Sequence, residues 1–338
     1  MASMGSLKTS MALTMILVFG LLFALMMFVF EGIYWYYGTG FGFILQVLVV
    51  TALVLLFMLM QWAVGPSIVR WSTGLRYLKP GENVFLERTV GELAQKAGVP
   101  MPRLAIVEDK SPNAFVFGRT LASSTLAVTR GLLERLSSDE VKAVLAHEIG
   151  HLRHRDVIIM TFAGAIPLIA YFIARMLMFS GGRRSKDSGG LVVVGIVALG
   201  VYVISQFLVL RLSRLREFYA DSYAGTSTGR PRALASALAK ITYGLSLAPK
   251  ESAGAARAFY IGDPQAAASN AREIQQLDLN RDGVLDDREL QIAAERGEKS
   301  RGAWSKAGEI SSTHPSTYKR IMLLLEIDKD LRDRGAVE

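Results

Sequence analysis

Hydrophobic residues concentrate in four long stretches along the chain, and polar segments separate them. Each stretch reaches the length of about twenty residues at which a helix crosses a bilayer. The stretches span residues 11–30, 41–64, 157–179 and 191–210. The only charge inside them, Arg175, lies near the end of the third, where its stem can reach the headgroups. Four buried core helices remain the alternative, but the pattern favours an integral membrane protein with about four transmembrane helices.

The basic residues are distributed unevenly around these stretches. The loop at residues 31–40 has no lysine or arginine. The segment after the second stretch carries Arg70, Arg76, Lys79, Arg88 and Lys96. The positive-inside rule therefore predicts that the N-terminus and residues 65–155 lie in the cytoplasm. The loop between the third and fourth stretches is also basic, so that second hairpin either spans the bilayer or dips into it without crossing.

The polar segments predict a small sheet and further helices. Residues 113–118 and 124–129 have strand composition and a short link, so we expect neighbouring strands. Ser137 and Glu140 form a capping-box pattern at the start of a helix, which we expect to continue into the membrane. The expected fold class is therefore α+β, mainly α.

The chain is polar again after residue 210, and its composition changes once more near residue 250. We expect helices with a break at Gly225 and the Thr-Ser-Thr-Gly run that follows it. The last element is amphipathic, with Pro315 at its expected start. Cysteine is absent, which suits a reducing compartment.

The segment HEIGH, residues 147–151, carries the chemistry of the chain. His147 and His151 are four residues apart, so on a helix both imidazoles project from one face and can bind a single ion. Glu148 lies beside the first ligand and can reach a water molecule on that ion. Two histidines on a polar helix face are the alternative, but the spacing predicts a catalytic zinc site.

A catalytic zinc site commonly has three protein ligands, so one more is needed. Glu217 follows the second hairpin, which returns the chain to the side where the two histidines lie. Asp221, one helical turn later, is expected to accept a hydrogen bond from a liganding histidine. An ordinary charged helix end remains possible here, and His154 is the other candidate ligand, although it lies one turn too far along a straight helix.

Four segments of the chain resemble the HtpX-like membrane zinc metalloproteases, gluzincins related to the CAAX prenyl proteases. They are HEIGHLRHRD, SRLREFYAD, PNAFVFG and STHPSTYKRI, and the resemblance covers about residues 10–250 and 310–325. It implies that His147, His151 and Glu217 bind one zinc ion (Zn2+) per chain and that Glu148 is the catalytic glutamate. It also implies a multi-pass protein of a prokaryotic cell membrane, with a zincin-like cytoplasmic catalytic domain.

Two further parts of these motifs are expected to serve the substrate. Asn113, Ala114 and Phe115 match the edge-strand motif of the family, to which an extended substrate can add as a strand. A plain turn before a strand is the alternative. His314 can donate a hydrogen bond to the oxyanion of the tetrahedral intermediate, or it can simply precede a helix.

The segment DLNRDGVLDDRE, residues 278–289, fits the twelve-residue EF-hand loop. The expected calcium (Ca2+) ligands are Asp278, Asn280, Asp282, Val284, Asp286 and Glu289. Such a loop departs from the family pattern, and acidic surface hairpins can mimic it. Calcium binding is therefore a hypothesis about this chain alone.

These observations predict a membrane-bound zinc endopeptidase that cleaves misfolded membrane proteins at the cytoplasmic face, in quality control. The alternatives are a calcium-responsive scaffold with a vestigial site and a CAAX-type prenyl protein protease. The net charge of +8 comes from scattered residues without a recognisable binding motif, so we expect no nucleic acid as a partner. The four apolar stretches make the lipid bilayer the expected partner. The expected segments are a transmembrane hairpin (1–65), half of the protease domain (66–155), a second hairpin (156–210), the other half (211–250), the EF-hand-like insert (251–310) and a C-terminal helix (311–338).

Overall fold

The structure is a computed structural model that describes residues 4–37, 43–179, 189–247, 261, 266–280, 282–297, 312 and 314–335. The helices are α1 Met4–Tyr37, α2 Phe43–Thr73, α3 Val84–Ala97, α4 Arg130–Arg135, α5 Ser138–Arg153, α6 Asp156–Phe179, α7 Gly189–Thr228, α8 Pro231–Ser246, α9 Ala267–Ile274, α10 Asp287–Gly297 and α11 Thr317–Asp333. The strands are β1 Arg76–Tyr77, β2 Arg103–Val107, β3 Ala114–Phe117 and β4 Thr125–Thr129. The prediction of a mainly helical protein with a small sheet is confirmed.

Within the described residues, four helices are long and apolar enough to cross a membrane. The qualifying segments are Ala12–Val29, Thr51–Thr73, Asp156–Arg175 and Val192–Thr228. The expectation of about four helices of membrane length is therefore confirmed, and these four are candidate membrane helices. The last of these helices, α7, has 40 residues and is therefore about 60 Å long. A hydrocarbon core is about 30 Å thick, so α7 is long enough to extend well beyond it.

The chain divides into two compact units, and each has its own core. One unit combines residues up to Gly65 with Ile158–Leu212, and the other combines Pro66–Val157 with the residues from Ser213 onwards. In the first unit, side chains such as Val18 and Ile166 are buried together, while others such as Ile16 are exposed. Apolar side chains that face outward suit a lipid environment, because lipid tails are as apolar as these side chains.

The sheet of the second unit has the order β1-β2-β4-β3. Strands β2 and β4 are parallel, whereas β3 pairs antiparallel with β4, so the expected pairing of β3 and β4 is confirmed. Alternate residues of β3 face opposite sides: Ala114 and Val116 join the helical core, and Phe115 and Phe117 join a second apolar cluster. Among the described residues β3 is an edge strand.

The start of α5 follows the expected capping box. The Ser137 side chain accepts from the Glu140 N–H at 3.4 Å, and the Glu140 carboxylate accepts from the Ser137 N–H at 2.8 Å. The same carboxylate accepts hydrogen bonds from Ser236 at 2.8 Å and from Lys240 at 2.9 Å, both in α8. The cap therefore also attaches the start of α5 to a neighbouring helix.

The expectation that this helix continues into the membrane is wrong. Helix α5 ends at Arg153, and α6 begins at Asp156 after a two-residue turn. Arg155 has a φ of 58°, a left-handed conformation that is rare outside glycine. On a straight helix, Asp156 would lie on a different face from His151, which is five residues earlier. The turn instead brings the Asp156 carboxylate 2.6 Å from His151 Nδ1. The break between the two helices thus places a carboxylate beside His151.

Two other boundaries differ from the expectations. Helix α7 does not break at Gly225, but it does end within the Thr-Ser-Thr-Gly run, as expected: it continues to Thr228, and Gly229 ends it with a φ of 68°. A Cβ at Gly225 would lie 3.2 Å from Pro231 Cβ, so this glycine serves close packing and not a turn. The last helix begins at Thr317 with Ser316 as its N-cap, slightly later than predicted from Pro315.

Candidate active site

The two histidines of the HEIGH segment converge on one face of α5. His147 Nε2 and His151 Nε2 are 3.1 Å apart, and the rings meet edge to face. Gly150, between them, lets α7 approach closely: a Cβ there would lie 3.0 Å from Tyr223 Cδ1 and 3.4 Å from Ala220 Cα. The glycine of the motif therefore controls how near α7 comes to the histidines.

Glu217 lies on that approaching helix and completes a three-residue cluster. Its Oε2 is 3.7 Å from His147 Nε2, and its Oε1 is 3.5 Å from His151 Nε2. One ligand atom from each of the three residues lies within 4.8 Å of the others. The structure therefore brings together the three residues that were selected from the sequence as zinc ligands.

Each histidine has a carboxylate behind it. Asp221 Oδ1 is 2.9 Å from His147 Nδ1, the side away from the cluster, in the arrangement expected from the sequence. Asp156 Oδ2 is 2.6 Å from His151 Nδ1, and sequence reasoning missed this contact. The aspartate at the end of HEIGHLRHRD was the available signal, but a continuous helix would have directed it elsewhere.

Two buried arginines lie behind these carboxylates, and the sequence analysis selected neither. Arg320 donates to Asp221 through Nε at 2.8 Å and through Nη2 at 2.7 Å, and its Nη1 is 3.1 Å from Glu217 Oε2. Arg216 Nη2 contacts Asp156 Oδ1. A planar guanidinium suits such paired contacts with carboxylates. The signal for both was their position inside the quoted motifs, beside Glu217 and after His314.

Glu148 is buried, with only 3% of its surface exposed. Burial, followed by the nearby Glu217 carboxylate, raises the pKa of Glu148 well above its ordinary value, against the lowering effect of Arg320. The backbone N–H of Val116 in β3 hydrogen-bonds to this carboxylate. A carboxyl whose pKa is raised in this way holds a proton more readily, which is the property required of a group that accepts and returns one.

The donor set fits a zinc ion. Burial and the neighbouring His147 lower the pKa of His151 well below its ordinary value, so its imidazole is neutral, the form that binds metals. Glu217 Oε2 is buried beside Arg320 Nη1 at 3.1 Å and His314 Nδ1 at 3.4 Å, and neither contact has the geometry of a hydrogen bond, so this oxygen keeps a lone pair for a metal. Two imidazole nitrogens and one carboxylate oxygen form one of the ligand sets of catalytic zinc.

The other two histidines occupy different positions. His314 is buried, and its Nδ1 lies 3.4 Å from Glu217 Oε2, at the edge of the cluster. His154 instead packs its ring against Tyr219, at 4.1 Å between centroids, on the far side of the turn after α5. His154 is therefore not part of the cluster that contains His147, His151 and Glu217.

The expected substrate-binding residues lie at the start of β3. Asn113 is buried; its Oδ1 accepts from the Ile261 N–H at 2.9 Å, and its own N–H donates to Thr129 Oγ1 at 2.8 Å. Ala114 and Phe115 are also buried, on opposite faces of the sheet. The backbone of β3, at the sheet edge and beside Glu148, is thus better placed than the Asn113 side chain to meet a substrate.

The loop at 278–289 is closed by its own hydrogen bonds. Glu289 Oε1 accepts from the Leu279 N–H at 2.7 Å, and Asp278 Oδ2 accepts from the Gly283 N–H at 3.0 Å and from Tyr243 OH at 3.1 Å. Further hydrogen bonds within the loop involve Asn280, Asp282, Val284 and Asp286. An EF-hand is not shown by this geometry, so calcium binding stays a prediction.

Comparison with known proteins gives relatives along most of the chain. Residues 80–328 match peptidase family M48. A protease HtpX homolog from Methanothermobacter thermautotrophicus is 40% identical over 249 residues, which cover 72% of this chain and 89% of that protein. One from Moorella thermoacetica is 33% identical over 279 residues, which cover 81% and 82% of the two chains.

A solved structure is also similar. The crystal structure of S. mikatae Ste24p aligns with a TM-score of 0.47 and 18% identity, over 94% of this chain and 65% of that one, less than two thirds of its length. The resemblance to HtpX-like proteases that was seen in the four motifs is confirmed by the sequence relatives. With four membrane-length helices and a match over residues 80–328, this membrane protein belongs to peptidase family M48.

Proposed function

We propose that this protein is a zinc-dependent endopeptidase that cleaves peptide bonds at the cytoplasmic face of a cell membrane. The observation that carries the proposal is the convergence of His147, His151 and Glu217 within 4.8 Å, with Glu148 buried beside them. A scaffold protein would not need the ligands, the glutamate and the supporting carboxylates in one place.

The metal would be held by His147, His151 and Glu217. A zinc ion in that position would supply Lewis acidity for a water molecule and for the scissile carbonyl. The two imidazoles are fixed from behind by Asp221 and Asp156, at 2.9 and 2.6 Å, so their Nε2 atoms face the same point. The protein thus prepares the geometry of its donor atoms in advance.

Glu148 would act as the general base and then as the acid. Its carboxylate takes a proton from the attacking water and returns it to the amine that leaves. Burial beside Glu217 raises the pKa of Glu148, which favours holding that proton between the two steps. We further propose that His314, at the edge of the cluster, donates a hydrogen bond to the oxyanion.

The substrate would lie along the β3 edge of the sheet. Strand β3 is the edge strand among the described residues, and the Val116 N–H next to Glu148 belongs to it. An extended peptide could pair with this edge at Ala114 and Phe115 through its backbone. We propose misfolded membrane proteins as substrates, in quality control, because membrane helices would keep the enzyme close to proteins of the same membrane.

The cytoplasmic orientation rests on the charge distribution of the chain. The loop at residues 31–40 has no lysine or arginine, whereas basic residues follow α2 closely.

A second proposal concerns the loop at 278–289, for which we propose weak calcium binding. It is favoured by Gly283, whose φ of 79° provides the sharp turn at the sixth position of such a loop.

Proteolysis of casein by the purified protein in detergent tests the function. We expect cleavage with zinc, loss of cleavage with a chelator, and recovery on addition of zinc. Cleavage of a prenylated CAAX peptide without cleavage of casein would instead favour the prenyl protease. A protein that binds zinc and cleaves neither substrate would favour the scaffold.

A further inference from the structure

The two liganding histidines are supported in parallel ways. His147 is backed by Asp221 and then Arg320, and His151 is backed by Asp156, which Arg216 contacts in turn. We propose that Asp156 is a positioning residue that orients His151 for the metal and that Arg216 holds Asp156 in place. This inference rests on the zinc site of the proposed function.

The first support is the turn between α5 and α6. Arg155 adopts a left-handed conformation, with a φ of 58°, which is unfavourable for residues other than glycine. The turn is closed by hydrogen bonds from the His154 N–H to Gly150 O at 3.1 Å and from the Arg155 N–H to Leu152 O at 2.9 Å. The result of this turn is that Asp156 faces back toward His151.

The second support is that the two carboxylate oxygens of Asp156 contact different residues. Oδ2 is 2.6 Å from His151 Nδ1, and Oδ1 contacts Arg216 Nη2. Asp156 is 4% exposed and Arg216 is 2% exposed, so neither charge is satisfied by water. A buried carboxylate persists as an ion only beside a cation and hydrogen-bond donors, and Arg216 provides the cation.

The third support is the direction in which His151 points. With its Nδ1–H donated to Asp156, the lone pair of His151 lies on Nε2, which faces Glu217 Oε1 at 3.5 Å and His147 Nε2 at 3.1 Å. The hydrogen bond of one ring nitrogen sets the tautomer and exposes the other for metal binding. Without Asp156 the ring can turn or carry its proton on Nε2.

Arg216 also connects the two ligands that come from different helices. It directly precedes Glu217 on α7, while Asp156 is the first residue of α6. The contact between Arg216 and Asp156 therefore joins the helix that carries the third ligand to the support of the second ligand. A change at Arg216 should affect the geometry of His151 and not the capacity of Glu217 to bind.

Zinc affinity of the full-length protein in detergent tests this inference. The variants are Asp156→Asn and Asp156→Ala, each combined with Arg216→Met so that no lone charge is left buried. Asp330→Asn is the matched control, because Asp330 is a partly exposed acid on α11. The readouts are the zinc dissociation constant by chelator competition, the absorption spectrum with cobalt, and thermal unfolding of the metal-free protein.

We expect the alanine pair to bind zinc about 10- to 100-fold more weakly than the wild type, with an altered cobalt spectrum. The asparagine pair should lose less than the alanine pair, because its Oδ1 can still accept from His151 Nδ1 although Arg216 no longer holds it. Equal losses in the two pairs, or no loss in either, would overturn the positioning role. A wild type that binds no zinc would overturn the proposed function and this inference together, whereas normal binding in both pairs overturns the inference alone.

Discussion

Gly150 lies against Tyr223 so closely that a Cβ at position 150 would be 3.0 Å from Tyr223 Cδ1. Replacing this glycine with alanine should push α7 away from α5 and separate Glu217 from the two histidines. Overpacking of this kind costs about 1–3 kcal/mol. We expect Gly150→Ala to lower both the thermal midpoint and the zinc affinity.

Gly164 in α6 provides the matched control for this change. A Cβ there would meet nothing within 4 Å, so Gly164→Ala should leave zinc affinity unchanged. Alanine inside a helix should stabilise it slightly, by about 0.5–1 kcal/mol. If Gly150→Ala bound zinc as tightly as Gly164→Ala, the close approach of α7 would not be what assembles the site.

The turn at Arg155 predicts a contrast between two substitutions. Glycine adopts a φ of 58° without penalty, so Arg155→Gly should preserve zinc affinity and stability. A β-branched residue is strongly disfavoured at positive φ, so Arg155→Ile should destabilise the protein and weaken zinc binding through the displaced Asp156. Thermal unfolding and chelator competition measure the two effects. Equal behaviour of the two variants would contradict the importance of this turn.

The cap of α5 predicts a dependence of stability on pH. Burial alone would raise the pKa of Glu140, but hydrogen bonds from Lys240, the Ser137 backbone and Ser236 hold that pKa below its ordinary value of 4.5. A lowered folded-state pKa means that the ionised carboxylate stabilises the fold at neutral pH, and that this stability is lost as the pH falls below 4.5 through the lowered pKa.

Glu140→Gln measures this contribution. The variant should have a lower thermal midpoint than the wild type at pH 7, and the difference should shrink as the pH is lowered, because the wild-type carboxylate becomes neutral. Glu134 is an exposed residue of α4, so Glu134→Gln serves as the control with little change expected. A constant gap between Glu140→Gln and the wild type across pH would contradict the assignment.

The loop at 278–289 predicts a response to calcium. Calorimetry on the full chain should detect heat with calcium, and Glu289→Gln should lose it, because a carboxylate at the last position of such a loop is needed for binding. Asp333→Asn, at the end of α11, is an acidic control outside the loop. Absence of heat in the wild-type protein would remove the calcium proposal and leave the protease proposal intact.

Much of the site could be predicted because its spacing is local. The histidines four residues apart and the capping box at Ser137 follow from helix periodicity alone, and both are present in α5. The pairing of β3 with β4 followed from two short apolar runs with a brief link. The pattern of apolar stretches likewise predicted the membrane helices.

The contacts that were missed depend on backbone geometry that the sequence does not reveal. Arg155 in a left-handed conformation has no signature, so α5 was expected to continue and Asp156 was not selected. Arg320 reaches Asp221 across a separation of 99 residues, which no local pattern could indicate. Gly225 was expected to begin a break between helices, although it lies inside α7 and lets Pro231 approach that helix.

Zinc content and casein cleavage of Glu148→Gln, measured on the same purified protein, test the proposed mechanism most directly. We expect the variant to retain one zinc ion per chain and to lose cleavage, because the amide cannot accept the proton of the attacking water. Glu217→Ala should instead lose zinc as well. Full cleavage by Glu148→Gln would contradict the proposal that this buried glutamate is the general base.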